Sequence, residues 1–271
     1  MAAAAARLRA AGVPEPARDA RILLAHAAQV DAARVTLIAP EDIAPEIQDR
    51  YEHLIALRAV RVPVSHLVGE REFYGRSFKV SSEVLDPRPE TETLIEAALA
   101  EDFRHVLDLG TGSGCILVTL LAERPETTGI GTDLSEDACL QASANAVLHH
   151  VGDRARILNT DWFDDVDGRF DLIVSNPPYL AAFEMDEVAP EVREHEPRMA
   201  LTDEGDGLSC YRIIAAQAGS YLTSNGRVIC EIGRDQGADV HEIFTREGWS
   251  SVTVLQDLDR RDRVIVARNP A

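Results

Sequence analysis

Apolar positions along the chain change period twice. From Ala17 to Ala28, residues Ala20, Leu23, Leu24 and Ala27 recur at i, i+3, i+4 and i+7, one face of a helix. The Asp31 or Pro40 region ends that helix. Pro45 opens another, because proline suits the first helical turn. Ile47, Tyr51, Leu54, Ile55 and Leu57 give it an apolar side. The pattern predicts a small helical bundle over residues 1–62. Between 64 and 85 the β-formers Phe73, Tyr74, Phe78, Val80 and Val84 appear, with Gly75 between two short runs. This is a hairpin signal, and residues 63–88 are expected to link two domains. Pro87 and Pro89 follow. Thr91 stands where it can cap a helix that carries Leu94, Ile95 and Ala98 on one side.

From Arg104 onward, apolar runs alternate with helical patterns. Strands are expected at 105–110, 128–134, 155–158, 170–176, 227–233, 249–255 and 263–268. Helices are expected at 114–123, 136–148, 207–222 and 235–247. Continuous apolar strands between helices imply a mostly parallel sheet covered on both faces, an α/β domain over residues 89–271. The loop DLDRRD between the last two strands is too short for a helical crossover, so those two should pair antiparallel.

Charge divides the chain in the same way. The 271 residues hold 27 Lys+Arg and 46 Asp+Glu, a net of −19. Residues 1–88 carry 12 basic and 12 acidic side chains, so the whole excess lies in 89–271. That acidity opposes binding to nucleic acid or to an anionic membrane. It suits a partner with a basic surface, whose attraction should weaken with salt. No run of the chain is apolar enough to span a bilayer. MAAAAARLRAAG bears arginine and no acid, as a weak transit peptide would, but its apolar residues are mostly Ala. The expectation is an N-terminal helix of a cytoplasmic protein. Cys115, Cys139, Cys210 and Cys230 lack any C-x-x-C pair. Reduced, buried thiols and no metal site are expected.

Four clusters carry candidate chemistry. The first is Asp108-Leu109-Gly110-Thr111-Gly112-Ser113-Gly114, between a strand and a helix. Its glycines allow a tight turn and close backbone approach to a ligand. Cys115 stands where the dinucleotide fingerprint needs glycine. The second is Asp133, 23 residues beyond Gly110 at the end of the next strand. An acid there can accept from ribose hydroxyls. Ser135 can cap the following helix, which leaves Asp133 for a ligand. The third is Asp161-Trp162, an acceptor for an exocyclic amine beside an indole that can flank a flat base. The fourth is Asn176-Pro177-Pro178-Tyr179. Two prolines stiffen a strand end. Such a turn can present the Asn176 oxygen and the Pro177 carbonyl to the two N–H bonds of a planar –NH₂ group, with Tyr179 against its face. These are the requirements of an amine or amide methyltransferase.

The chain resembles the HemK/PrmC family, the peptide chain release factor glutamine N5-methyltransferases. The motifs above carry the resemblance, together with Asp86-Pro87-Arg88-Pro89-Glu90-Thr91-Glu92, Gly69-Glu70, Glu72-Phe73-Tyr74-Gly75, Glu196-Pro197, Asp206-Gly207-Leu208 and Glu231-Ile232-Gly233 with Gln236. It runs from about Arg18 to the C-terminus. Departures are Asp86, Ser65-His66 and a 257–263 loop without glycine. The resemblance implies a Rossmann-like S-adenosylmethionine-dependent methyltransferase sheet behind a helical docking domain. It implies S-adenosyl-L-methionine as cofactor and S-adenosyl-L-homocysteine as product. Gly110, Thr111, Gly112, Ser113, Gly114, Asp133, Asp161, Trp162 and Asn176 would bind the cofactor. Asn176, Pro177, Pro178 and Tyr179 would bind the substrate, with Asn176, Pro177 and Tyr179 catalytic. The implied substrate is the glutamine of a release factor's Gly-Gly-Gln motif, modified by a monomer that binds no nucleic acid directly. The alternatives are a ribosomal-protein glutamine methyltransferase, an enzyme acting on exocyclic amines of DNA or RNA, and a non-catalytic adenosine-ligand module.

Overall fold

The computed structural model describes residues 1–37 and 44–269, so the expected helix break at Pro40 lies outside the described residues. In chain order the elements begin α1 Ala2–Ala10, α2 Pro16–Ala28, α3 Pro45–Ala59 and α4 Val64–Val68. The hairpin strands β1 Glu70–Phe73 and β2 Arg76–Lys79 come next, then α5 Glu92–Leu99. After them come β3 His105–Leu109, α6 Cys115–Glu123, β4 Thr128–Asp133, α7 Glu136–Leu148, β5 Ala155–Asn159 and β6 Phe170–Ser175. The last elements are α8 Pro190–His195, α9 Ser209–Gln217, β7 Leu222–Glu231, α10 Gly237–Arg246, β8 Ser250–Gln256 and β9 Asp262–Arg268.

One compact unit comprises residues 1–70 and 188–195. The expected stripe of Ala20, Leu23, Leu24 and Ala27 is buried, together with Leu8, Tyr51, Leu54 and Ile55. Pro16 and Pro45 each stand at the start of their helix. A buried ion pair joins Arg58 to Asp19 at 2.8 Å. Arg58 also reaches Glu191 at 3.0 Å, and Arg61 reaches the other Glu191 oxygen at 2.5 Å. The segment 188–195, which the sequence pattern placed in the catalytic part, is thus clasped by α3 and the residues after it. Residues 64–68, inside the segment 63–88 expected as a hairpin linker, form the helix α4. Pro63 precedes it, and Gly69 at φ 75° ends it by donating to Ser65 O at 2.7 Å.

The other unit comprises residues 71–187 and 196–271. Tyr74 and Gly75, at φ 48° and 69°, make the tight turn between β1 and β2. Phe73 and Phe78 are buried edge to face, and Asn145 of α7 bonds both backbone groups of Lys79. The seven-stranded sheet has the order β5-β4-β3-β6-β7-β9-β8. Of these, β9 alone runs antiparallel to its neighbours, β7 and β8. Side chains alternate between two cores. Leu107, Leu109 and Ile173 join one with α9 and α10; Val106, Leu172 and Val174 join the other with α5 and α6. This is the expected α/β architecture, sheet-covering helices included.

One helix is shorter than its pattern. The stretch 207–222 gives α9 and a 3-10 turn, Ala218–Tyr221, and β7 begins at Leu222 rather than near 227. The polar residues 223–225 hid this strand. Leu222 pairs with Phe170, after which the register shifts to Leu172 opposite Arg227. Gly226 fits this irregularity because a Cβ there would lie 3.0 Å from Phe170 O.

Candidate active site

The sheet order reverses between β3 and β6, and a cleft opens at the carboxyl ends of the strands there. Its empty volume is about 1020 Å³, part of it open to solvent. Gly110, Thr111, Gly112, Ser113, Asp133, Asp161, Trp162, Asn176 and Pro178 line it. Gly114, Pro177 and Tyr179 are not among the lining residues. Gly114 starts α6, and a Cβ on it would lie 3.1 Å from Ala142 of α7, so its local role is helix packing.

The glycine loop is shaped by its backbone. Gly110 and Gly112 hold φ of 68° and 55°, and a Cβ on either would meet nothing within 4 Å. The loop therefore leaves bare backbone against open space. Asp133 Oδ2 accepts from Gly112 N at 2.8 Å, and Oδ1 accepts from Ser135 N at 2.9 Å. Ser135 caps α7 by accepting from Ala138 N, as its position suggested. Asp133 is more engaged than expected, yet each oxygen keeps a second lone pair. Burial raises its pKa against the pull of the Ser135, Gly112 and Leu134 amides. Beneath the loop, the buried Asp108 accepts from Thr111 Oγ1 at 2.7 Å and Leu117 N at 3.3 Å. Burial pushes its pKa up to about 7. Cys115 also lines the cleft, but burial raises its thiol to about 12, which removes it as a nucleophile.

Thr160 N donates to Asp133 O at 3.0 Å, which ties the end of β5 to the end of β4. Asp161 follows, exposed, and then Trp162, half-buried against a core. Trp162 holds φ 45°, costly for a bulky residue and fixed here by the tight 160–164 turn.

At the end of β6, Ser175 Oγ donates to Leu109 O at 2.8 Å. Asn176 Nδ2 donates to Thr91 Oγ1 at 3.3 Å, and Thr91 Oγ1 donates to Glu231 Oε2 at 2.5 Å. Thr91 does not cap α5 with its side chain, contrary to expectation; the hydroxyl is spent on Glu231. Asn176 Oδ1 is buried without a hydrogen-bond partner among the described residues. Tyr179 packs against the core beside α9 and α10, and burial, then Glu231, raises its hydroxyl pKa, so it stays a neutral phenol. Gln236 Nε2 donates to Tyr179 O at 2.8 Å. Arg88, on the cleft wall, pairs with Glu196 at 2.5 Å. Thr91, Glu231 and Gln236 thus support the Asn-Pro-Pro-Tyr turn. The sequence offered Glu231 and Gln236 only as parts of resembling motifs, and Thr91 as such a part and as a helix cap.

Two family models match the chain, the PrmC N-terminal domain over residues 1–69 and the methyltransferase small domain over 80–208. The release factor glutamine methyltransferase of Cereibacter sphaeroides is 55% identical over 99% of this chain and 97% of its own length. That of Agrobacterium fabrum is 40% identical over 98% and 95%. The chain belongs to the release factor glutamine methyltransferase family. It is an S-adenosyl-L-methionine-dependent methyltransferase. Among solved structures, a Pyrococcus furiosus methyltransferase superposes with TM-score 0.56 at 15% identity, over 73% of this chain and 91% of that one. The hMettl16 catalytic domain, in complex with an MAT2A 3'UTR hairpin, gives 0.60 at 18%, over 80% and 82%. These two share the fold. The cleft fits the cofactor: Gly110 and Gly112 form a cradle that any Cβ would fill, and the Asp133 carboxylate borders it.

Proposed function

We propose that this chain methylates the side-chain amide nitrogen, N5, of the glutamine in the Gly-Gly-Gln motif of peptide chain release factors. Gly110, Thr111, Gly112 and Ser113 would lie under the methionine and ribose parts of the methyl donor, with Gly114 fixing the loop's exit. Asp133 would hold the ribose hydroxyls, and Asp161 and Trp162 the adenine. The donor, when bound, supplies an electrophilic methyl group on sulfonium sulfur.

An amide nitrogen is a poor nucleophile because its lone pair is delocalised. What the protein must add is alignment. Asn176 Oδ1 and the Pro177 carbonyl accept the two amide hydrogens. Pro178 stiffens the turn, and the Tyr179 ring packs against the amide plane. Orientation of this kind can lower a barrier by several kcal/mol, up to about 7–11. The neutral Tyr179 and Cys115 serve as no base, and the amide proton leaves after methyl transfer. The observation that carries this reading is the buried Asn176 Oδ1, an acceptor with no partner among the described residues.

The helical unit is read as the docking element for the release factor. The acidic excess of residues 89–271 supports a basic partner surface and opposes direct nucleic-acid binding. The protein is further read as a cytoplasmic monomer. No helix among the described residues is long and apolar enough to cross a membrane.

The test is incubation of the purified chain with labelled methyl donor and a purified release factor, followed by mass-spectrometric location of the methyl group. The expected site is the Gly-Gly-Gln glutamine. A release factor that stays unmodified, while parallel reactions supplied with ribosomal protein or nucleic acid take up label, overturns the assignment. Asn176→Ala is expected to abolish nearly all transfer, leaving a small residual rate, while retaining some donor binding.

A further inference from the structure

We infer that Thr91 and Glu231 are positioning residues for methyl transfer, which turn the Asn176 amide so that its oxygen faces the substrate. This rests on the proposed role of Asn176. The oxygen and the –NH₂ group of an asparagine side chain are nearly the same size, so sterics alone do not choose between the two orientations. The choice matters here. A flipped Asn176 would set its own N–H groups against the N–H groups of the substrate amide.

The hydrogen bonds make the choice. Asn176 Nδ2 meets Thr91 Oγ1 at 3.3 Å. A hydroxyl alone decides nothing, because it carries one proton and can donate or accept. Glu231 Oε2 stands 2.5 Å from that hydroxyl. An ionised carboxylate only accepts, so the Thr91 proton must point to Glu231. Thr91 Oγ1 then offers lone pairs to Asn176, and these demand the –NH₂ end. Thr91 and Glu231 are each 1% exposed, so bulk water does not compete for either group. The carboxylate comes from the end of β7, the hydroxyl from the start of α5, and the amide from the turn after β6. Three segments, 85 and 140 residues apart from Thr91, converge for no capping purpose.

The relay depends on Glu231 being charged. Burial pushes its pKa up to about 7, with the Thr91 hydrogen bond, Arg263 and Arg88 opposing and Glu90 reinforcing. Tyr179, Tyr211 and Cys115 also sense its charge. A protonated Glu231 can donate to Thr91, whose own proton is then free to turn toward Asn176 and stabilise the flipped amide. Transfer should therefore fall as pH drops through the Glu231 pKa, beyond any loss of donor binding.

The experiment measures single-turnover methyl transfer to a purified release factor, with donor affinity measured separately. Thr91→Val is expected to slow transfer about 10–100-fold, the range that one buried hydrogen bond of roughly 1–3 kcal/mol gives. Thr91→Ser, which keeps the hydroxyl, should restore most of the rate. Glu231→Gln should slow transfer and remove the acid limb assigned to Glu231. In an Asn176→Ala background, Thr91→Val should add no further loss, as expected of groups that act as one unit. If Asn176→Ala transfers at the full rate, the role of Asn176 itself is wrong. If Asn176→Ala is impaired but Thr91→Val and Glu231→Gln keep both rate and pH profile, the relay alone is overturned. A Thr91→Val loss that persists undiminished in the Asn176→Ala background also overturns it.

Discussion

The side-chain amide of Gln236 holds the backbone of Tyr179: Nε2 donates to Tyr179 O at 2.8 Å and to Gly207 O at 3.1 Å. Its Oε1 accepts from Gly233 N at 2.9 Å, so both ends of the amide are committed. Gln236→Ala should free the Asn-Pro-Pro-Tyr turn at its far end. The expected outcome is a roughly 10-fold fall in kcat/KM for the protein substrate, from about 1–2 kcal/mol of lost hydrogen bonding, with donor affinity little changed. Steady-state kinetics with each substrate varied in turn checks it.

Gly207 presses on the same turn. It holds φ 75°, and a Cβ there would stand 2.4 Å from Tyr179 O. Gly207→Ala should therefore cost more than the usual 1 kcal/mol or so of a left-handed alanine, because backbone must also move. A lowered denaturation midpoint together with lost transfer is the expected result.

Asp133 accepts from two backbone amides through two oxygens. Asn at this position keeps one oxygen and turns an –NH₂ group toward an N–H. Asp133→Asn should weaken methyl-donor binding about 10–100-fold, the worth of roughly 1–3 kcal/mol. Calorimetric titration with the donor or with its demethylated product reads this directly.

Asp108 links pH to stability. Burial raises its folded-state pKa to about 7, above the ordinary carboxylate value near 4. The folded state therefore holds a proton that the unfolded state has released across this window. Stability from this group is highest below pH 4 and falls as pH rises toward 7. Relative to Asp108→Asn, the parent protein should lose stability between about pH 4 and 7. Parallel urea denaturation of the two proteins across that range tests the sign. A difference that stays flat would show that Asp108 is ionised throughout.

In the helical unit, Arg58→Ala would leave the Asp19 carboxylate buried without its cation. Breaking such a pair typically costs about 3–5 kcal/mol. Arg61 still reaches Glu191, so the loss should centre on α2 and α3. Hydrogen exchange of those helices is the sharper measurement.

Much of this was legible in the sequence because it is local. Helix α2 declares itself by one buried stripe, α7 by Ser135, and the hairpin by Tyr74-Gly75. Helix α4, five residues long, is too short to show a helical period; its one local signal is Gly69, a helix stop. β7 was read too short because its first residues are polar and its glycine sits in an irregularity. The cleft-lining glycines and Asp133 could be read from their places at strand ends. The partners of Asn176 could not. No periodicity connects Thr91 to Glu231 across 140 residues, and a threonine before a helix most simply reads as a cap.

The clasp on Glu191 has a consequence for how the two units can be separated. The chain passes between them after Glu70, after Glu187 and after His195, so no single cut yields both intact. A fragment starting at Arg71 would keep Val188–His195 but lose Arg58 and Arg61, and with them the charges that hold Glu191 below its usual pKa. It would carry an orphaned turn of helix, Pro190–His195, beginning eleven residues after Tyr179 in the sequence. Recombination among relatives faces the same arithmetic. The helical unit is inherited together with residues 188–195 or not intact, so two stretches of sequence more than a hundred residues apart form a single heritable trait.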